Sequence, residues 1–370
     1  MTPRAVNGHR MEVPAVAPGI YINGRFLNQQ VSGVQRFARE IVASASESEA
    51  WPTEAAVLVP RKPALPATFG ELPVWHRGFS NGHLWEQSEL SWMARDSLLL
   101  NLCNTAPLAL HRQVVILHDA AVAARPDNFR PSFRWWYQLL IRTYTRRAVK
   151  VATVSRFSAG EIARHFGVAL HDLEIIGESG EHILRATADY SLHAKHGLEQ
   201  DAYFLAASSW APSKNFAGIL RAVASLPYLN HKFVIVGGRN SRIFASLDFD
   251  TARAVEVGYA TDGQLRALYE RASCFVYPSL YEGFGLPPLE AMCCGCPVLT
   301  SRAAAMPEVC ASAAAYCDPN DPADIARQLS RLLDSRSARD ELRAAGLARA
   351  RDWTWKKAAR DLSELIAMAS

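Results

Sequence analysis

Short apolar runs alternate along most of the chain with longer stretches whose apolar positions recur every third or fourth residue. A short run rich in Val, Ile, Leu and Ala reads as a strand buried on both faces, and the wider spacing reads as one face of a helix. Strands are therefore predicted at residues 19–22, 55–59, 97–102, 113–117 and 150–154, with helices at 34–44, 131–149 and 158–166. The pattern then restarts, with strands at 202–207, 232–237, 254–258, 273–279, 297–301 and 313–317, each separated by a segment of helix length.

Such alternation predicts an α/β chain with parallel sheets, and 370 residues exceed one ordinary core. The expected fold is two Rossmann-like, doubly wound lobes. The first spans 19–180 and the second 198–352, and a last helix over 353–370 is placed to pack back on the first lobe. Residues 176–200, polar and containing several Gly and His, are the expected linker. Ligands of open parallel sheets sit beyond the carboxyl ends of the strands, so a cleft between the lobes is the default site.

One stretch, YEGFGLPPLE at 281–290, sits where such a site would be. Gly283 and Gly285 turn the chain, and two prolines then enter the first turn of a helix, where a missing N–H costs nothing. Gly295 ends that helix as its C′ residue. The helix starts at the carboxyl end of a buried strand, and its free N–H groups favour phosphate by roughly 0.3–2 kcal/mol. Glu282 stands on the loop and Glu290 in the helix, so both carboxylates can face one pocket. Compensation of the helix dipole accounts for Glu290 alone, but not for Glu282 with both glycines.

From Tyr277 onward, YPSLYEGFGLPPLEAM, continued by Gly295-Cys-Pro-Val298 and Met306-Pro-Glu308, resembles the E-x7-E segment of the retaining glycosyltransferases of family 4. Those enzymes have the GT-B fold of two Rossmann lobes. The resemblance runs from residue 19 to about 355 and is densest over 258–309. It implies transfer of a hexosyl or deoxyhexosyl unit from a nucleotide-diphosphate sugar to a saccharide hydroxyl, with retention at the anomeric carbon and without a divalent metal or other cofactor. Mannose and rhamnose are favoured, and glucose stays open.

The same resemblance implies roles for single residues. Glu282 lies by the donor sugar, Glu290 holds the ribose hydroxyls, and the amides around Phe284, Gly285 and Leu286 hold sugar and diphosphate. His118 and Asp119, closing the run at 113–117, match a His-Asp pair whose His touches the donor sugar. Lys214, in SSWAPSKNF, matches a diphosphate-binding lysine, but the arginine that accompanies it is replaced by Ser209 or Ser213. Gly33 resembles a glycine loop bordering diphosphate and acceptor, and Gly237, Gly238, Gly258 and Tyr259 close strands that border the base.

Plainer readings stand beside these: Lys214 as a solvated loop lysine, His118 as a satisfied structural histidine, Arg36 and Arg39 as surface residues. Arg36 is nonetheless the candidate substitute for the absent arginine. Thr261 with Gln264 reads as a helix capping box.

The formal net charge of +4 comes from an excess of basic residues before residue 185. It is too mild for nucleic-acid binding, and no recognition motif accompanies it. Cys293, Cys294 and Cys296 crowd together without a second Cys/His pair at ligand spacing, so buried thiols are favoured over a metal site. Asp248-Phe-Asp250, the one D-x-D match, reads as a surface turn. With neither an apolar stretch of ~20 residues nor a signal-like apolar region near the start, a cytoplasmic address is expected.

Segment 129–150 carries six basic residues and no acid. As a helix it is expected to gather Phe133, Trp136, Leu140 and Tyr144 on one face and Arg134, Arg142, Arg146 and Lys150 on the other. A basic amphipathic helix can lie on anionic lipid, which would suit a lipid-linked saccharide acceptor in surface polysaccharide assembly at the cytoplasmic face of an inner membrane. A half-buried scaffold helix is the favoured alternative. Three rivals remain for the whole chain: a glycoside hydrolase using Glu282 and Glu290, a nucleotide-sugar-binding protein without catalysis, and, last, an NAD oxidoreductase, for which the first-lobe loop lacks G-x-G-x-x-G.

Overall fold

A computed structural model describes residues 18–48, 51–60, 67–226, 230–237 and 254–370. Fourteen strands among them form two sheets. The first contains β1 (Ile20–Asn23), β2 (Ala55–Val59), β3 (Thr68–Phe69), β4 (Leu72–His76), β5 (Leu98–Asn101), β6 (Gln113–Leu117), β7 (Lys150–Thr153) and β8 (Leu173–Ile175), in the order β3-β4-β2-β1-β5-β6-β7-β8. All its pairings are parallel except the β3–β4 hairpin. The second contains β9 (Tyr203–Ala207), β10 (Lys232–Val236), β11 (Ala254–Gly258), β12 (Cys274–Tyr277), β13 (Val298–Ser301) and β14 (Ala315–Cys317), all parallel, in the order β11-β10-β9-β12-β13-β14.

The helices that matter below are α1 (Gly33–Glu47), α2 (Pro131–Arg147), α3 (Arg156–Phe166), α4 (Asp262–Arg271), α5 (Leu286–Cys293) and α6 (Trp355–Ala369). The inner strands β1, β2, β5, β6, β9 and β12 are buried at every position, which is why they read as unbroken apolar runs. Each aliphatic side chain so buried contributes about 1.5–3 kcal/mol.

Strand order positions the site. β1 pairs with β2 on one side and β5 on the other, and β9 pairs with β10 and β12. At each of these points the chain leaves in one direction and returns from the other, which opens a crevice at the carboxyl ends of the strands.

Observed strand and helix ends lie within a few residues of the expected ones, and three strands were not expected. β3 has two residues, β8 three, and β4 carries Pro73, so none shows a clean apolar run. The segment expected as a linker is packed structure. Residues Glu181–Arg185 form a 3-10 turn against α5, with Gly180 so close to the backbone of Leu289 and Glu290 that a Cβ would collide. Farther along, His193 Nε2 lies 3.0 Å from the Tyr203 hydroxyl of the second lobe.

The faces of α2 also differ from expectation. Its buried side is Leu140, Ile141, Tyr144 and Thr145, while Phe133 and Trp136 are exposed together with Trp135 and Leu139. The Tyr144 hydroxyl donates to Asn104 O at 2.7 Å, and Leu140, Ile141 and Tyr144 join the cluster of Val115, Leu117 and Ile162. Helix α6 packs on α1, with the Trp355 and Phe37 rings 6.0 Å apart, so the end of the chain lies on the first lobe.

The Thr261–Gln264 capping box is present at the start of α4. All seven cysteines are free, and among the described residues no group of His, Cys, Asp and Glu could hold a metal. Burial pushes the Cys293 thiol up to about 12, so it stays protonated. Among the described residues no helix is long and apolar enough to cross a membrane. Gly238 and Asp248-Phe-Asp250 lie outside the described residues.

Candidate active site

Helix α5 carries Pro287 and Pro288 in its first turn, where no intrahelical donor is needed. Gly285, just before it, has φ 107°, and a Cβ there would strike Met306. At the other end Gly295 (φ 69°) closes a Schellman motif, donating to Met292 O at 3.0 Å while Cys296 N donates to Ala291 O at 2.8 Å. Phe284 and Leu286 are buried, and Phe284 meets the Trp353 ring edge-on at 5.0 Å.

The loop between β12 and α5 is seated on the first lobe. Gly283 O accepts from Ser155 Oγ at 2.5 Å and lies 2.9 Å from Ser158 Oγ, which also reaches His118 O at 2.8 Å. No side chain fits at Gly283, since a Cβ would strike His118 O and approach Asp119 Cβ. Arg125, also in the first lobe, donates to Leu280 O at 2.7 Å and stands 5.7 Å from the Tyr281 ring centroid.

Lys214 follows β9 and Glu282 follows β12, so the two face each other across the second switch point. Lys214 Nζ is paired with Glu282 Oε1 and also lies 3.0 Å from the Tyr277 hydroxyl. Glu282 Oε1 further accepts from Tyr277 at 2.8 Å and from Ser279 Oγ at 3.3 Å. Burial works against the Lys214 ammonium, but Glu282 and Tyr277 outweigh it and raise its pKa. The solvated-lysine reading is thereby set aside.

His118 is buried with both ring nitrogens occupied: Nε2 is 3.0 Å from Leu102 O, and Nδ1 is 3.2 Å from Glu178 Oε1. Phe37 meets the ring edge-on at 4.8 Å. A carboxyl and a carbonyl partner thus fill both ring positions in this arrangement. Burial raises the Glu178 carboxyl, with the His118 bond opposing. Asp119 Oδ1 accepts from Ala121 N at 2.8 Å, and burial raises its pKa, with Glu282 adding to the shift and Lys214 opposing it.

Glu290 is buried within α5. Its Oε1 lies 2.9 Å from His182 Nε2, and its Oε2 accepts from the Tyr269 hydroxyl at 3.3 Å. Burial and the neighbouring Glu290 raise the Tyr269 pKa well above its usual value.

Residues 190–349 match the family described as glycosyl transferases group 1. The chain is 32% identical over 262 residues to the O-antigen chain mannosyltransferase B of Escherichia coli, covering 68% of each protein. The chain belongs to the group 1 glycosyl transferases. A serotype-specific mannosyltransferase WbdA of E. coli is 30% identical over 266 residues, and the chain spans about a third of its length, 32%. Two lobes of Rossmann type place the transferase in the GT-B fold. Anabaena HepE, solved with UDP and glucose, superposes with TM-score 0.74 at 16% identity, covering 95% of this chain and 100% of that one. WaaG, a glycosyltransferase of lipopolysaccharide biosynthesis, does so with TM-score 0.71 at 16% identity over 94% and 99%.

Other residues of the transferase singled out by sequence fall variously. Gly237 (φ 134°) backs onto Ser208 O and donates to Gly258 O at 2.8 Å, beside Gly258 (φ 74°) and the 76% exposed Tyr259. Ser209 is exposed. Gly33 opens α1 with open space where a Cβ would lie, so sterics do not require glycine there. Arg36 is drawn to Asp262 Oδ1 at 2.7 Å and Glu40 at 3.6 Å. The arginine brought to the loop that holds Glu282 is Arg125. Sequence reasoning missed Arg125, Glu178, His182, Tyr269 and Tyr277. The signal for two of them was present, since Gly177 and Gly180 flank Glu178 and precede His182 in a segment that looked like linker.

Proposed function

We propose that this glycosyl transferase moves a mannosyl unit, with rhamnose and glucose as the other candidates, from a nucleotide-diphosphate sugar to a saccharide hydroxyl with retention at the anomeric carbon. One observation carries the reading: the Lys214–Glu282 pair stands at the switch point of the second sheet, with Glu282 on the loop that leads into α5. Lys214, the start of α5 and the amides near Gly285 would stabilise the charge of the leaving diphosphate. Glu282 would then face the positive charge that develops on the sugar. Asp119 stands near enough for the charges of Glu282 and Lys214 to act on it. Glu290 would hold the ribose, and Gly237, Gly258 and Tyr259 would border the base. His118 serves this reading as a partner of Glu178 and as the backbone seat of Gly283.

The mannosyl preference rests on the names of the relatives. No metal is assigned, because lysine and helix dipole supply the positive charge. The test is thermal stabilisation by GDP, UDP and dTDP, which must raise the melting temperature if they bind the native state, followed by transfer from the matching sugar donors. Product configuration at the anomeric carbon tests retention. Activity that survives a chelator supports metal independence, and loss of more than half would sink it.

A lipid-linked acceptor and peripheral membrane contact draw support from α2. The adjacent Trp135 and Trp136 are followed at spacings of three or four by Leu139, Arg142 and Arg146 along its exposed side, which joins interfacial aromatic anchors to positive charge. Flotation with phosphatidylglycerol vesicles, but not with neutral ones, is the expected result. Equal partition of wild type and Trp135→Glu would remove the support.

A further inference from the structure

We infer that His182 is a positioning residue for donor binding, fixing the Glu290 carboxylate so that its remaining lone pairs can meet a vicinal diol. The inference rests on the reading of Glu290 as the contact to ribose.

Proton placement follows from the partners. His182 Nδ1 lies 3.2 Å from Ser179 O, which can only accept, so Nδ1 carries a proton. Nε2 then meets Glu290 Oε1 at 2.9 Å, a line on which one proton must sit, either as imidazolium against carboxylate or as carboxyl against imidazole. Both forms tie Oε1 in the same place. The Tyr269 hydroxyl, from α4, holds Oε2 from another side, and the Glu290 backbone is pinned beneath Gly180.

The His182 side chain is 1% exposed and that of Glu290 11%, so the histidine is sealed and what surface the pair exposes belongs to the glutamate. A carboxylate has about four lone-pair positions. Two are taken by His182 and Tyr269, and the remaining two lie on a carboxylate that no longer rotates. Two adjacent hydroxyls on a furanose ring can bind both at once. An unanchored glutamate would have to be ordered by the ligand itself, which weakens binding. His182 thus acts through Glu290 and need not touch the nucleotide.

Calorimetry with UDP and GDP, each against its 2′,3′-dideoxy counterpart, separates positioning from scaffolding. His182→Asn keeps a donor for Ser179 O but no longer reaches Glu290, whereas His182→Gln places an amide donor near the former Nε2. Asn is expected to weaken the better-binding ribonucleotide on the order of tenfold and to leave the dideoxy nucleotide within about twofold, while Gln restores most of the loss. In turnover the Asn variant raises the donor KM with kcat little changed. Equal loss for both nucleotides, or loss for neither, overturns the inference. If wild type and Glu290→Gln bind ribo- and dideoxynucleotide alike, the reading of Glu290 itself falls. If Glu290→Gln loses the preference and His182→Asn keeps it, only the role of His182 falls.

Discussion

Glu308 of the second lobe caps a helix of the first: its Oε1 accepts from Arg156 N at 2.9 Å and its Oε2 from Phe157 N at 3.1 Å. Both amides belong to the first turn of α3, where the helix has free donors and a positive dipole end. Glu308→Ala should therefore cost about 0.5–2 kcal/mol and loosen the lobes together. A lower melting temperature with a larger radius of gyration in solution scattering is the expected pair of results. Unchanged scattering would mean that the remaining contacts between the lobes suffice without it.

Gly283→Ala tests the seat of the loop that carries Glu282. The new methyl would strike His118 O, a backbone atom that cannot swing aside. Overpacking of this kind costs about 1–3 kcal/mol, and the loop can escape only by lifting off β6. Nucleotide binding, which the proposed reading places on the second lobe, should stay near wild type. Transfer should fall by at least about tenfold, since a displacement of about 1 Å can cost on the order of a hundredfold.

Substitutions in the Lys214–Glu282 pair should act in opposite directions on nucleotide affinity. Glu282→Ala releases the ammonium for phosphate, so transfer is lost while binding holds or tightens. Lys214→Ala removes the cation and leaves a nearly buried carboxylate without it, facing the site proposed for the diphosphate. That arrangement should weaken nucleotide binding by about 1–3 kcal/mol. Titration of each variant with the better-binding nucleotide distinguishes them, and tighter binding by Lys214→Ala would reverse the assignment.

These predictions also mark what could be read from the sequence. The β12–α5 corner was legible because Gly285, Pro287, Pro288 and Gly295 each have a local steric reason to be where they are. The central strands were legible because burial on both faces leaves an unbroken apolar run. What stayed hidden depends on distant pairing. The engagement of His118 with Leu102 O and Glu178 joins residues 16 and 60 positions apart, and that of His182 with Glu290 spans 108. Neither leaves a periodic trace. The inner face of α2 was misjudged for a similar reason: the partners of Leu140, Ile141 and Tyr144, rather than its own pattern, decide which side is covered.

Glu178 gives a pH signature. Burial raises its carboxyl above the ordinary value of 4.5, so the folded state holds a proton that the unfolded state releases first. Between the two values the native protein binds more protons, and stability falls as pH rises. Its contribution is therefore fully present below about 4.5 and is lost as pH rises through the raised value. Glu178→Gln, which keeps a neutral side chain of the same shape, does not titrate. The melting temperature of wild type minus that of the variant should decline as pH climbs from about 4.5 toward neutrality, whereas a carboxylate with a depressed pKa would make the difference grow. A difference flat in pH would mean that Glu178 titrates alike in the folded and unfolded chain.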